Sequence, residues 1–173
     1  LRLCPHLTIV RGRFGDYSEY SNKLYERILE LAPIVERASI DEMYFDLTGC
    51  EVLYHNDLPG FIKVLQQIVW KEFHLPCTIS LASNKPVAKI AAQTVKPAGV
   101  IYVPHGTERL FLAPLSIDVI PGVGKKTSEI LRKKGFKIVA DLQSISKEKL
   151  QRILGKHGLW IHDVANGLGP EDL

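Results

Sequence analysis

Apolar residues recur along this chain with two different spacings, and the point where one gives way to the other divides it. The residues ahead of Pro5 read as the end of a helix that the proline stops. Residues 7–10 are short, apolar and β-branched, which predicts a strand. Apolar or aromatic side chains then fall at 17, 20, 24, 28 and 31, with Tyr25 and Leu29 widening the stripe. That spacing predicts a helix over 16–31 with Asp16 as its N-cap, ended by Pro33. Residues 34–38 and 43–47 predict two strands joined through 39–42. In the second, Met43, Phe45 and Leu47 face one way, and Tyr44, Asp46 and Thr48 the other. A second amphipathic helix is predicted over 57–73, with Leu58, Phe61, Ile62, Leu65, Ile68 and Val69 on one face. A buried strand over 77–82, a helix over 84–95 and a strand over 100–103 complete this stretch. Pro86 sits in the helix's first turn, where its missing N–H costs nothing.

Beyond 103 the pattern holds only short helical segments separated by Gly or Pro: 106–112, 115–119, 124–134, 138–143, 147–154 and 157–166. A boundary near Pro104 is therefore expected, between an α/β part (1–103) and an all-helical part (104–173). At 46% hydrophobic and 24% charged, the chain has enough apolar surface to offset the entropy of ordering. No run approaches the ~18 apolar residues of a membrane span, and no signal peptide is visible. The chain starts with Leu1, which reads as a trimmed or partial sequence. Cys4, Cys50 and Cys77 are odd in number and widely spaced, so they suggest neither a disulfide framework nor a zinc site.

Charge sharpens this division. Residues 1–103 balance 11 basic against 11 acidic side chains, whereas 104–173 carry 11 against 8. Lys125, Lys126, Arg132, Lys133, Lys134 and Lys137 face only Glu129 within 125–137. A local excess of this kind favours a polyanion, although a solvated helix face has the same composition.

Three segments could carry chemistry. Asp41 and Glu42, with Asp46 nearby, place adjacent carboxylates at a strand–turn–strand junction. Like charges so close repel, and a hard cation relieves them. Two-metal phosphoryl transfer needs such ligands, and a hairpin holds them rigidly; a bare Asp-Glu pair is also a common exposed turn. In Ser83-Asn84-Lys85-Pro86-Val87-Ala88-Lys89, the two lysines share one helix face, and backbone N–H groups at the helix start make a seat for a triphosphate. In Ile120-Pro121-Gly122-Val123-Gly124-Lys125-Lys126, two glycines lead into a helix. A Walker loop is excluded, because Val119 stands where its first Gly belongs and Lys126 where its Ser or Thr belongs. A helix-hairpin-helix, which grips a DNA backbone phosphate without reading bases, fits. The six histidines are scattered and make no nucleophile pair or HExxH.

Taken in this order, the segments resemble the Y-family, or translesion, DNA polymerases. Residues 39–49 (Ser-Ile-Asp-Glu-Met-Tyr-Phe-Asp-Leu-Thr-Gly) look like that family's second catalytic motif. Asn84-Lys85 with Ala88-Lys89-Ile90-Ala91 is similar to its Asn-Lys…Ala-Lys segment, and Ile120 to Gly124 to its thumb hairpin. The Ile-Pro before the hairpin resembles the DinB (polymerase IV) branch.

The resemblance implies an α/β (α+β) palm with a mixed β-sheet and flanking helices, followed by a small all-α helix-hairpin-helix thumb. It implies a two-metal Mg²⁺ site held by Asp41 and Glu42, with one carboxylate ligand missing from this chain. Asp41 would bridge both ions and Glu42 would sit by the primer 3′-OH. Lys89 would contact the incoming dNTP, and Ser39, Gly122, Val123, Gly124, Lys125 and Lys126 would contact primer–template DNA. The first catalytic strand and the fingers are expected to be absent, so the isolated chain is expected not to polymerise. A sliding clamp is the expected partner of the full-length protein, in a bacterial-type cytoplasm at the nucleoid. Two other readings remain open: a non-catalytic DNA-backbone-binding helix-hairpin-helix module, and a palm-type enzyme making a cyclic nucleotide, which gives no reason for the helix-hairpin-helix.

Overall fold

The computed structural model describes residues 3–170, which separate into two compact units divided between Asp46 and Leu47. In the first unit, helix α1 spans Phe14–Leu29. It begins before Asp16, contrary to the expected cap. The Asp16 amide already donates to the Arg13 carbonyl at 3.1 Å, so Asp16 lies inside the first turn. There its carboxylate meets the partial positive charge of the helix start. Strands β1 (Ile34–Arg37) and β2 (Met43–Asp46) pair antiparallel, from Arg37↔Met43 at the turn to Ile34↔Asp46 at the far end. Arg37 ties this ladder to α1. Its Nη1 donates to Asn22 Oδ1 at 2.7 Å, and its guanidinium lies 3.8 Å from the centre of the Tyr25 ring.

Two expectations fail in this unit. Residues 7–10 form no strand, because no ladder partner for them exists among the described residues; Ile9 and Val10 stand 77% and 81% exposed. β-branching favours a pleated surface only where a neighbouring strand supplies it. Residues 3–6 bend and turn rather than end a helix, while the rest of that expected segment, residues 1–2, lies outside the described residues.

The second unit opens with a 3-10 turn at Glu51–Tyr54 and helix α2 (Leu58–Phe73). The Asp57 carboxylate accepts from the Gly60 amide at 2.8 Å, and Phe61, Ile62, Leu65 and Val69 form the buried face. Strands β3 (Ile79–Leu81) and β4 (Val100–Tyr102) are parallel, joined across helix α3 (Lys85–Thr94). Parallel pairing requires such a crossover. Gln66 Nε2 donates to the Cys77 and Ala98 carbonyls, at 2.8 and 2.9 Å, and so pins α2 to the loops that precede both strands.

Five short helices follow: α4 (Glu108–Leu112), α5 (Lys125–Lys133), α6 (Val139–Gln143), α7 (Lys147–Leu154) and α8 (Lys156–Ala165). The helix expected over 115–119 is instead a 3-10 turn at Ile117–Val119. The chain on either side of it is claimed by another partner: Ile117 N donates to Lys137 O at 3.2 Å and Val139 N to Leu115 O at 2.8 Å. The hydrophobic core runs without a break past position 104. Val87, Ile90, Ala91 and Val103 pack with Leu112, Leu131, Leu142, Leu150, Ile161 and Val164, all 1% exposed or less. The architecture is thus helical with two small sheets, one antiparallel and one parallel, each of two strands. Among the described residues no helix is long and apolar enough to cross a membrane.

Candidate functional site

The acidic turn of the first unit is organised by one side chain. Ser39 Oγ donates to Asp41 Oδ1 at 2.6 Å and accepts from the Glu42 amide at 3.1 Å. The Ala38 and Ser39 amides both donate to the Glu42 carbonyl, at 3.0 and 3.1 Å, closing the turn behind it. A hydroxyl two residues ahead of a carboxylate can satisfy the local backbone and aim the acid at once. Asp41 is thereby fixed while exposed, and Glu42 is half-buried beside it. Asp46 does not join them. It pairs with Ile34 at the other end of the ladder, three residues past Met43, or about 10 Å along the strand.

A hard divalent cation takes carboxylate oxygens, and Asp41 and Glu42 suit it in kind. Among the described residues no group of three or more His, Cys, Asp or Glu side chains comes together, so this unit offers a pair of ligands rather than a cage.

In the second unit, Asn84 sets the start of α3. Its Oδ1 accepts from the Val87 amide at 3.1 Å, and its Nδ2 donates to the Gly167 carbonyl at 2.9 Å; the side chain is buried. The seat of open amides expected at this helix start is therefore reduced. Val87 N is already capped, and Pro86 has no N–H to offer. What α3 presents is side chains, with Lys85 half-buried and Lys89 exposed one turn later.

The start of α5 is different. Gly124 is the N-cap, and no side chain caps the helix. The first amides of a helix have no intrahelical acceptor, so Gly124 leaves them open. A Cβ placed on Gly124 would meet nothing within 4 Å, which marks that side of the loop as clear. Lys125 and Lys126 are exposed beside it, and Val123 turns into the core at 8% exposure. Gly122 has φ +94°, which favours glycine, and a Cβ there would lie 2.6 Å from His157 Cε1, so a side chain would displace the imidazole.

Several residues that hold this loop were not singled out in the sequence. Asp118 accepts from Ser128 Oγ at 2.5 Å and from Ser116 Oγ at 2.8 Å, and pairs with the Arg132 guanidinium. The Ser128 and Ser116 hydroxyls and then Arg132 hold its carboxyl down at about 2. His157 and Trp160 reach the loop from α8: His157 Nε2 lies 2.9 Å from Gly122 O, and Trp160 Nε1 donates to Pro121 O at 3.2 Å. The partners are 35 and 39 residues apart, and no local pattern relates them.

Residues 1–93 match the model of the impB/mucB/samB family, and residues 118–168 match that of the DNA polymerase-iota thumb domain. A DNA polymerase IV of Opitutus terrae is 37% identical over 97% of this chain and 43% of its own length. The DNA repair protein Rev1 of Drosophila melanogaster is 32% identical over 90% of this chain and 16% of its own. Among solved structures, DinB from Sulfolobus solfataricus superposes with a TM-score of 0.87 at 28% identity, over 99% of this chain and 51% of that one. An insertion ternary complex of Dbh DNA polymerase gives 0.85 at 28% identity, over 98% and 50%. The chain thus spans about half the length of these solved polymerases and less than half of the curated relatives. With the acidic hairpin, the Asn84–Lys89 helix and the glycine loop in one sequence, this chain belongs to the impB/mucB/samB family, the Y-family DNA polymerases of DinB type.

Proposed function

We propose that this chain provides palm and thumb parts of a translesion DNA polymerase, with residues 1–103 acting in the palm and 104–173 as the thumb. The observation that carries this reading is the uncapped start of α5 behind Gly122-Val123-Gly124. Its open amides, flanked by Lys125 and Lys126, suit a duplex backbone phosphate. Asp41 and Glu42 would hold Mg²⁺, which when bound neutralises charge on the transferring phosphoryl group and eases ionisation of the attacking 3′-OH. Ser39 keeps Asp41 aimed and sits where the turn meets DNA. Lys89 projects from α3 toward the triphosphate of the dNTP as a point charge. The whole-length protein would add the sliding clamp as a partner and work in the cytoplasm at the nucleoid.

Because Asp41 and Glu42 meet no third metal-ligating side chain among the described residues, the 173-residue chain by itself behaves as a DNA-backbone-binding module and does not extend a primer. Fluorescence anisotropy on a labelled primer–template, across a salt series, tests this. The expected result is salt-dependent binding that survives Asp41→Ala and is lost on Gly122 and Gly124 substitution. Absence of duplex binding would overturn the reading. Robust primer extension with Mg²⁺ would overturn the need for a further ligand.

A further inference from the structure

The loop that opens α5 carries backbone groups of opposite polarity. Amides are left open by the Gly124 cap. Close by in the chain are the carbonyl oxygens of Pro121 and Gly122, each a partial negative charge that repels a phosphate. Both oxygens are engaged by donors from α8: Trp160 Nε1–H at 3.2 Å on Pro121 and His157 Nε2 at 2.9 Å on Gly122. A carbonyl oxygen only accepts, so the His157 proton resides on Nε2. The imidazole also occupies the space a side chain at residue 122 would need, 2.6 Å from the position of its Cβ. His157 is exposed, so burial of apolar surface does not explain its placement.

We infer that His157 is a positioning residue of the DNA-binding loop, with Trp160 as its companion: they hold the Pro121 and Gly122 carbonyls back so that the loop offers a phosphate its amides alone. The inference rests on the duplex-binding reading above. His157 acts through Gly122 and makes no phosphate contact of its own. Removing it therefore weakens binding without changing how many counterions are released.

The test is duplex affinity by anisotropy over a salt series, at a temperature well below the melting point of every variant. His157→Ala should weaken affinity roughly five- to tenfold, about the worth of one hydrogen bond. The slope of log affinity against log salt should stay unchanged. His157→Gln, which keeps an N–H donor, should restore most of the loss. Trp160→Phe, which keeps a ring and removes the donor, gives an independent arm with the same expected signature. Lys125→Ala serves as the reference and should lower the slope by about 0.9. Unchanged affinity in both α8 variants would overturn the inference. So would failure of Gln to restore binding, or a slope lowered as in Lys125→Ala, which would make His157 a direct phosphate contact. If the unaltered chain shows no salt-dependent duplex binding, it is the proposed function that fails.

Discussion

The two loops that bear the candidate chemistry are held in contrasting ways. The acidic turn of the first unit is closed from within: Ser39, Asp41 and Glu42 bond to one another over two or three residues. The glycine loop of the second unit is held from outside by His157, Trp160 and the Ser116–Asp118–Ser128–Arg132 cluster. A turn that must present acids to a cation gains from a short, self-contained frame. A loop that must present bare amides cannot cap itself, since any local cap would occupy those amides. Its rigidity has to come from elsewhere in the fold, and it therefore depends on the core beneath it.

That dependence gives the largest predicted effect. Leu131 is fully buried in the core of the second unit, one helix turn past Ser128. Leu131→Ala should destabilise this unit by about 2–5 kcal/mol, the usual range for a buried leucine with its cavity. Thermal melting monitored by circular dichroism would measure it. Hydrogen exchange should show the 121–124 loop loosening with it. If exchange in that loop stays at the original rate while the melting point falls, the loop is more self-sufficient than its contacts imply.

The same contrast explains what could be read from sequence. The acidic turn, the Asn84-capped helix and the glycine-led start of α5 were legible, because each is a short pattern whose physics is local. The periodic helices over 57–73 and 124–134 were legible for the same reason, within a residue or so at each end. Asp118, His157 and Trp160 were not, because their partners are brought near only by tertiary packing. Nor was the second bond of Asn84, to the Gly167 carbonyl, because that partner lies 83 residues away. The expected strand at 7–10 shows the converse error: intrinsic preference was strong, and no partner strand exists among the described residues to satisfy it.

Acid sharpens the comparison next. Asp118 titrates at about 2 in the fold, against an ordinary 3.8, because its partners favour the carboxylate. A depressed carboxyl contributes stability that is complete above about pH 4 and is lost as pH falls toward 2. Since Asp118 and Arg132 are 47% and 43% exposed, solvent screening keeps this contribution to about 1 kcal/mol or less. The second unit's melting point should therefore fall between pH 4 and 2 more in the unaltered protein than in Asp118→Asn. Equal slopes in the two proteins would remove Asp118 from the bracing of the loop.

The smallest effect belongs to the acidic turn. Ser39→Ala deletes the hydroxyl that donates to Asp41 and accepts from the Glu42 amide, and leaves the backbone closure through the Glu42 carbonyl in place. Both lost bonds are exposed, so water replaces them, and the cost should be at most about 1 kcal/mol. It should also stay local. Amide exchange at Glu42 should quicken while exchange at Ala38 and Ser39, whose acceptor is untouched, changes little. No residue of α5 or α8 should respond. A frame closed by Ser39, Asp41 and Glu42 among themselves predicts this confinement. A response to Ser39→Ala in the glycine loop would show that the two sites are coupled, and the contrast between a turn held from within and a loop held from outside would no longer describe the molecule.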